Sequence, residues 1–237
     1  MEKKLNILCT ICARGGSKGV PHKNIKKINR YPLIYYSITQ AKKTRLFDKI
    51  VVSTDSKKIS SISRKFGAHC WFLRPKKLSS DKSAKLPAIR HAFKISENYF
   101  KKKFDIIVDL DATSPLRNSS DIIKSVKIFN SGKFDNLVSI SASRKNPYFN
   151  MIEKRKNYYT MVKTAKTKTV RRQDAPQVFD MNASIYIWSR KSILNAKKII
   201  NKNTGTYVMP EARSIDIDSE FDWKIVEYLL KRKNVIY

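Results

Sequence analysis

Near its N-terminus the chain reads Ala13-Arg14-Gly15-Gly16-Ser17-Lys18-Gly19-Val20-Pro21-His22-Lys23-Asn24, with three of its six glycines inside five positions. The apolar run before it, residues 5–12, is typical of a fully buried strand. Because glycine lets backbone N–H groups approach an anion closely, a strand that leads into such a turn suits a phosphate chain. Arg14, Lys18 and Lys23 add positive charge where a triphosphate is negative. The stretch therefore predicts an α/β domain with a phosphate-binding turn.

Two familiar nucleotide-binding motifs do not fit this stretch. Gly15 and Lys18 lie too close together for G-x-x-x-x-G-K-[ST], and the glycine spacing also differs from G-x-G-x-x-G. A solvated basic turn after a strand is therefore the alternative interpretation.

Apolar strands and amphipathic helices alternate along the first 141 residues. We predict strands at 5–12, 49–55, 68–73, 105–111 and 136–141, and helices at 32–43, 56–67, 87–100 and through 122–129. This order is typical of a three-layer α/β fold with a mostly parallel, doubly wound sheet, which binds ligands beyond the carboxyl ends of its strands. The glycine stretch, Asp55, Arg74 and residues 111–117 all fall at that edge, so we predict one site there.

The alternation breaks at residues 147–180, which are polar and aromatic. Within them, residues 148–162 predict irregular β structure or a hairpin around Lys156-Asn157. Such an insertion can cap a site, form a subunit contact or be an ordinary surface excursion. Beyond it we predict strands at 184–188 and 214–218, a helix at 191–200, and a last helix whose apolar face carries Phe221, Ile225, Tyr228 and Leu229. No stretch resembles a linker, so residues 1–237 are interpreted as a single domain.

The formal net charge is +31, from 50 Lys and Arg against 19 Asp and Glu. Such an excess favours polyanions, so a basic, non-catalytic nucleic-acid-binding protein is an alternative of a different class. The cations are mostly lysines spread along the chain, which favours a solvated surface that attracts small anions over a specific nucleic-acid site.

The sequence also bears on the compartment. No apolar run approaches the roughly 20 residues of a membrane span, and no signal peptide precedes the first strand. Cysteines 9, 12 and 70 fit a reducing environment, and Cys9 and Cys12 should lie on opposite faces of the first strand. We therefore expect a cytoplasmic protein without a membrane partner.

Asp216 and Asp218 are the candidate metal ligands. Two residues apart in a strand, they would share a face, and Mg²⁺ prefers a few oxygen ligands together with waters and phosphates. An exposed polar segment before a helix is the alternative, because Ser219-x-x-Asp222 is close to a capping box.

Four ordered motifs resemble those of the cytidylyltransferases that activate acidic sugars. The opening motif of that family, A-R-x-x-S-K-G-x-x-x-K-N, is matched at Ala13, Arg14, Ser17, Lys18, Gly19, Lys23 and Asn24. The other matches are R-P-x-x-L-x-x-D at residues 74–81, T-S-P-L-R at residues 113–117, and S-I-D-I-D at residues 214–218.

This resemblance implies a nucleotide-diphospho-sugar transferase fold, related to the Rossmann fold, that transfers CMP from CTP to a sugar acid with Mg²⁺. It implies catalytic roles for Arg14, Lys18, Lys23, Asp216 and Asp218, the last two as metal ligands. Nucleotide binding falls to Ala13, Arg14, Gly16, Ser17, Lys23, Asn24 and Arg74. Sugar binding falls to Asp111, Thr113, Ser114, Arg117, Arg171, Arg172, Gln173 and Asn182. Relatives are homodimers, in which residues 147–180 form the contact and carry Arg171 and Arg172 to the neighbouring site.

Two departures bear on the acceptor. Sialate enzymes tend to read F-R-P-N-G-A where this chain has residues 179–184, and they carry Gln where it has Asp111. Both features resemble enzymes for legionaminic acid, a bacterial nonulosonic acid of surface glycans and flagellin. Sialic acid, pseudaminic acid and Kdo stay open as alternatives. The general base is not assigned, and Asp111 is a candidate.

Overall fold

The computed structural model describes residues 5–81, 83–164 and 171–232. Its strands are β1 Ile7–Cys12, β2 Lys27–Ile28, β3 Tyr31–Pro32, β4 Lys49–Ser53, β5 Ile106–Leu110, β6 Asn136–Ala142, β7 Ile152–Arg155, β8 Tyr158–Met161, β9 Phe179–Ser189 and β10 Thr204–Val208. Its helices are α1 Leu33–Thr44, α2 Lys57–Lys65, α3 Lys85–Phe100, α4 Ser119–Ser131, α5 Arg190–Asn195 and α6 Glu220–Lys231.

The central sheet has six strands in the order β10-β6-β9-β5-β1-β4. Strand β1 pairs in parallel with β4 and β5, and β6 pairs in parallel with β10. Strand β9 runs antiparallel to both of its neighbours, β5 and β6. The predicted mostly parallel sheet is therefore confirmed.

Helices cover both faces of this sheet, because alternate strand residues point to opposite sides. On one face, Cys9 and Ile11 pack with residues of α1, α2 and α4. On the other, Leu8 packs with residues of α3 and α5, and Cys12 is partly buried there. The two cysteines thus lie on opposite faces, as predicted, and the fold has three layers.

The hairpin predicted around Lys156 is confirmed. Strands β7 and β8 pair antiparallel, and Lys156 has a positive φ of 46° in the turn between them. The hairpin forms a two-stranded sheet separate from the central one.

Two of the predicted strands changed here, and one further strand was not predicted. Residues 68–73 form no strand, and one isolated bridge joins His69 to Val51. The predicted strand 184–188 is longer, since β9 begins at Phe179. An unpredicted edge strand, β10, pairs with β6; its sequence, Thr-Gly-Thr-Tyr-Val, has little apolar content.

The last two helices also differ from expectation. Helix α5 ends at Asn195, before the predicted end at residue 200. The predicted apolar face of α6 was partly wrong: Leu229 packs against the core, but Phe221 is 71% exposed and Tyr228 54% exposed, whereas Trp223 and Val226 are buried. The helical period of α6 was predicted correctly, but the side of the helix that carries Trp223 faces the core.

Candidate active site

A cavity of about 510 Å³ lies at the sheet edge where the sequence analysis placed one site. It is lined by Cys12 at the end of β1, by Asp111 just after β5, and by residues of three loops. The predicted site residues that line it are Arg14, Ser17, Lys18, Lys23, Asn24, Arg74, Asp111, Thr113, Asp216 and Asp218.

Hydrogen bonds hold the glycine turn in place after β1. The backbone N–H of Gly15 donates to Oδ1 of Asp55 at 2.8 Å, and Nδ2 of Asn24 donates to the carbonyl oxygen of Arg14 at 2.9 Å. Asp55 follows the neighbouring strand β4, so it fastens the turn to the sheet. Arg74 joins the same edge, where its backbone N–H donates to the Thr54 carbonyl at 2.7 Å.

Two predicted nucleotide-binding residues do not line the cavity. Ala13 is buried, and its N–H donates to the Ser53 carbonyl at 3.0 Å, so it shapes the start of the turn. Gly16 is exposed, and a Cβ atom there would meet nothing within 4 Å. The local packing therefore does not require glycine at residue 16.

Gly19 is different, because it contacts the segment that carries the late aspartates. A Cβ atom on Gly19 would collide with the carbonyl oxygen of Asp218. Beside this contact, Nζ of Lys23 lies 3.3 Å from Oδ1 of Asp218 and also donates to the carbonyl oxygen of Ile217. The cationic turn and the acidic segment thus meet at two points, although about 200 residues separate them.

The acidic segment is not the predicted strand. Residues 214–218 pair with no strand; instead the N–H of Ile217 donates to the Thr113 carbonyl at 3.0 Å. The segment ends in a capping box of Ser219 and Asp222, as the sequence suggested, and Asp222 also accepts from the N–H of Asp218 at 3.1 Å. The start of α6 therefore fixes the backbone of Asp218.

Asp216 has the features of a cation ligand. Its Oδ1 is buried without a hydrogen-bond partner among the described residues. Burial raises the pKa of Asp216 to about 6, and the charge of Asp111 adds to the rise. The side chain of Asp218 is 82% exposed. No group of three or more His, Cys, Asp or Glu in described ranges has metal-binding geometry, which leaves two carboxylates. Two carboxylates plus substrate phosphates suit Mg²⁺.

Two cations of the glycine turn, Arg14 and Lys18, share one carboxylate. Nη1 of Arg14 lies 2.6 Å from Oδ1 of Asp81, and Nζ of Lys18 lies 2.9 Å from Oδ2. Asp81 belongs to the loop that begins at Arg74, so this loop reaches across the cavity mouth to the turn. A carboxylate here lies where a phosphate group would meet the same two cations.

The turn after β5 supplies one partly buried hydroxyl and one fully buried hydroxyl. Oγ1 of Thr113 donates to Oδ1 of Asp111 at 3.0 Å and lines the cavity. Ser114 is fully buried, and its hydroxyl has no partner within the described part of the chain. Ser114, predicted to bind the sugar, thus lies in the interior and does not line the cavity of this chain.

Arg117 does not line the cavity either. It is 1% exposed, and burial lowers the pKa of its guanidinium to about 10, which leaves it charged at neutral pH. The guanidinium donates to Ser184 O and Oγ, to Ser37 Oγ, to Gln40 Oε1 and to Asp111 O. Arg117 supports the turn from inside the protein rather than contacting a ligand.

Asn182 also lies away from the residues that line the cavity. It is 5% exposed, accepts from Ser139 Oγ at 2.6 Å and donates to Ser214 Oγ at 2.9 Å. The next residue, Ala183, has a positive φ of 50° where the pairing of β6 with β9 shifts register. This bulge turns Asn182 toward the acidic segment, so it anchors that segment rather than a sugar.

The remaining predicted sugar ligands lie outside the cavity of this chain. Arg171, Arg172 and Gln173 are exposed in the insertion. Nη2 of Arg171 lies 3.4 Å from Asp174, and Nη2 of Arg172 donates to the Ser143 carbonyl at 2.8 Å.

Sequence reasoning missed Lys85, which lines the cavity. Its Nζ lies 2.5 Å from Oδ2 of Asp111 and 3.3 Å from Oδ2 of the fully buried Asp109, and 4.1 Å from the ring centroid of Tyr186. One signal could have found it. Lys85 is the first residue of α3, where the helix dipole disfavours a cation.

Comparisons with known proteins identify the family to which this chain belongs. A family model described as "Cytidylyltransferase" matches residues 8–231. The chain belongs to the cytidylyltransferase family. A post-translational flagellin modification protein B from Campylobacter coli is 50% identical over 97% of both chains. A CMP-N,N'-diacetyllegionaminic acid synthase from Campylobacter jejuni is 49% identical over 97% of both chains.

The fold also matches a solved cytidylyltransferase structure. A CMP:2-keto-3-deoxy-manno-octonic acid synthetase solved with CTP superposes with a TM-score of 0.70, at 15% identity, over 96% of this chain and 99% of that one. The predicted nucleotide-sugar transferase fold is thereby confirmed, and the protein is a nucleotidyltransferase. In the described part of the chain, no helix is both long and apolar enough to span a membrane.

Proposed function

We propose that this cytidylyltransferase transfers CMP from CTP to the anomeric hydroxyl of a nonulosonic acid of the legionaminic type, and releases pyrophosphate. The observation that carries the proposal is the meeting of the cationic glycine turn with the segment of Asp216 and Asp218 in one cavity. The 49% identical relative named for a legionaminic acid supports the acceptor class. Activated sugars of this type would serve bacterial surface glycans or flagellin.

The glycine turn would bind the triphosphate. Arg14 and Lys18 line the cavity and would exchange their contact with Asp81 for the β- and γ-phosphates. Ser17 and Asn24 would add hydrogen bonds, and Arg74 would lie by the base and ribose. Once they contact the phosphates, these cations would stabilise the leaving pyrophosphate through charge and position.

Asp216 and Asp218 would hold Mg²⁺, since Asp216 offers a buried, unpartnered oxygen and Asp218 an exposed carboxylate. When bound, the ion would neutralise charge on the α-phosphate and on the leaving group. Lys23, held between Ile217 and Asp218, would keep this segment against the turn.

The reaction itself is a displacement at phosphorus. The anomeric oxygen of the acceptor would attack the α-phosphorus of CTP, and the bond from that phosphorus to the β-phosphate bridging oxygen would break. The attacking hydroxyl loses its proton in this step. Asp111 lines the cavity as a carboxylate and is our candidate for accepting that proton.

The insertion supports a homodimer as part of this proposal. Residues 147–180 and the start of β9 expose several large apolar side chains: Met151 40%, Ile152 62%, Tyr158 64%, Tyr159 64%, Phe179 40% and Met181 45%. A patch of this kind is typical of a protein interface. Since Arg171 and Arg172 lie outside the cavity of their own chain, we infer that they act at the site of the second copy.

We also place the reaction in the cytoplasm. All three cysteines of the chain are free thiols, which is typical of a reducing compartment. This part of the proposal is independent of the acceptor.

The test is pyrophosphate release from CTP and Mg²⁺ with a panel of acids: N,N'-diacetyllegionaminic, sialic and pseudaminic acids and Kdo. We expect turnover that depends on both CTP and Mg²⁺ and is fastest with the legionaminic acid. Faster turnover with another acid would overturn the acceptor assignment. Salt-sensitive binding to nucleic acid without CTP turnover would overturn the enzymatic proposal.

A further inference from the structure

Lys85 lies at the boundary between two cavities. It lines the candidate active site, and it also lines a neighbouring cavity of about 520 Å³ formed by the start of α3 and residues 195–199. Its side chain is 22% exposed. Part of the side chain therefore faces the cavities, while Nζ lies against the carboxylates of Asp111 and Asp109.

The contacts of Lys85 favour one carboxylate over the other. Nζ lies 2.5 Å from Oδ2 of Asp111 and 3.3 Å from Oδ2 of Asp109. Asp109 also accepts from Thr10 Oγ1 at 2.7 Å, deep in the sheet. Asp111 accepts from Lys85 on one oxygen and from Thr113 on the other, so both of its oxygens are held in place.

The local charges explain why an ammonium is needed there. Asp109, Asp111 and Asp216 lie close enough for their charges to interact. Burial opposes ionisation of Asp111, but the charge of Lys85 outweighs it and holds the pKa of Asp111 below its ordinary value. The Tyr186 ring, 4.1 Å from Nζ, closes the remaining side of the ammonium.

We propose that Lys85 is a positioning residue for the acceptor: its ammonium fixes the Asp111 carboxylate where the acceptor hydroxyl arrives. This inference rests on the proposed function. A lysine at the first position of a helix opposes the helix dipole, so helix stability does not explain its presence. The contact with Asp111 explains why a lysine is present. Side-chain contacts from Lys85 and Thr113 hold the Asp111 carboxylate as an oriented hydrogen-bond acceptor.

The experiment uses Lys85→Met, Asp111→Asn and the double variant in the full-length protein, with KM measured separately for CTP and for the acceptor. Charge-assisted hydrogen bonds correspond to about 10- to 100-fold effects, so Lys85→Met should lower kcat/KM for the acceptor by about that factor. KM for CTP should change less than about threefold. Because Lys85 acts through Asp111, the double variant should be no slower than Asp111→Asn.

Two further variants keep the test decisive. Lys102→Met is the matched control, since Nζ of Lys102 lies 2.6 Å from Oδ1 of Asp48, just before β4 and so at the opposite end of the strands from the site. It should leave both KM values unchanged. If Lys85→Met does not fold, Lys85→Met combined with Asp109→Asn removes the buried carboxylate charge as well, and it should fold with the same loss toward the acceptor.

Two results would overturn the role of Lys85. One is a KM for CTP that rises as much as the KM for the acceptor, and the other is an additive loss of kcat/KM in the Lys85/Asp111 double variant. Failure of the wild-type protein to release pyrophosphate with any acid of the panel would instead overturn the proposed function. The two failures are therefore distinguished by the wild-type assay alone.

Discussion

Gly19 and the carbonyl group of Asp218 are in direct contact, with no space for a Cβ atom between them. This contact joins the first loop of the fold to a segment close to its last helix. It sets how near the cations of the turn can come to Asp216 and Asp218. The site therefore depends on a backbone approach as much as on its charged side chains.

Asp216→Asn should abolish turnover and yet raise the melting temperature at neutral pH without divalent cations. Burial raises the pKa of Asp216 to about 6, whereas an unfolded aspartate titrates near about 3.9. Protonated Asp216 therefore stabilises the folded state fully below about pH 4, and this contribution is lost as the pH rises through about 6. Thermal scans should show the largest gap between variant and wild type above pH 7.

The matched control for that prediction is Asp218→Asn. Its side chain is 82% exposed, so it should lose turnover with little change in melting temperature. A gap between Asp216→Asn and wild type that is the same at pH 4 and pH 8 would contradict the assigned cause.

Asp81→Asn should strengthen CTP binding. Asp81 pairs with Arg14 and Lys18, so a triphosphate has to displace its carboxylate. Since exposed ion pairs are weak, we expect KM for CTP to fall about three- to tenfold, with the acceptor KM unchanged. Glu227→Gln, which breaks an exposed pair with Lys231 on α6, is the control. Weaker CTP binding in Asp81→Asn would show that Asp81 positions the two cations instead.

Arg117→Met should mainly lower the stability of the folded protein. The guanidinium is buried and donates to five oxygen atoms, several of which would lose their partner. We expect the free energy of unfolding in urea to fall by about 2–4 kcal/mol. Arg144→Met, at an 80% exposed side chain, should change it little. Unchanged stability with a raised acceptor KM would restore Arg117 as a sugar ligand.

The dimer proposal is tested by subunit complementation. Arg172→Ala and Asp216→Asn should each be inactive alone. If Arg172 serves the site of the second copy, each mixed dimer has one intact site of two. Random mixing makes about half of the dimers mixed, so activity should recover to about a quarter of wild type. No recovery after mixing, with exchange of subunits verified, would place Arg172 in its own chain's site or outside both.

Much of the fold could be predicted because its signals are local. The run before Cys12 and the run ending at Asp111 are apolar enough for buried strands, and the glycine turn matches a family motif. Strand β10 could not be found this way, because an edge strand of Thr, Gly and Tyr has little apolar pattern. Gly205 there lets the Phe134 ring lie against its backbone, a tertiary contact that no window of sequence reveals.

The candidate site shows the same limit. The residue types at Arg117 and Asn182 suit a ligand, but burial decides their role, and burial depends on the packing of distant strands. Lys85 was hidden among many surface lysines, since its two carboxylate partners come from β5 and the turn after it. The pairing of the first loop with the last acidic segment was predicted from motifs, and its dependence on Gly19 was not.

The most direct test of the account compares Gly19→Ala with Gly16→Ala in pyrophosphate release from CTP, Mg²⁺ and the legionaminic acid. A methyl group at residue 19 has to push the Asp218 backbone away, whereas residue 16 has open space. Because displacements of about 1 Å at a catalytic site can cost 100-fold, Gly19→Ala should lose about that factor while it stays folded, and Gly16→Ala should keep most of its activity. Equal activities in the two variants would contradict a site built on the contact between the glycine turn and the acidic segment.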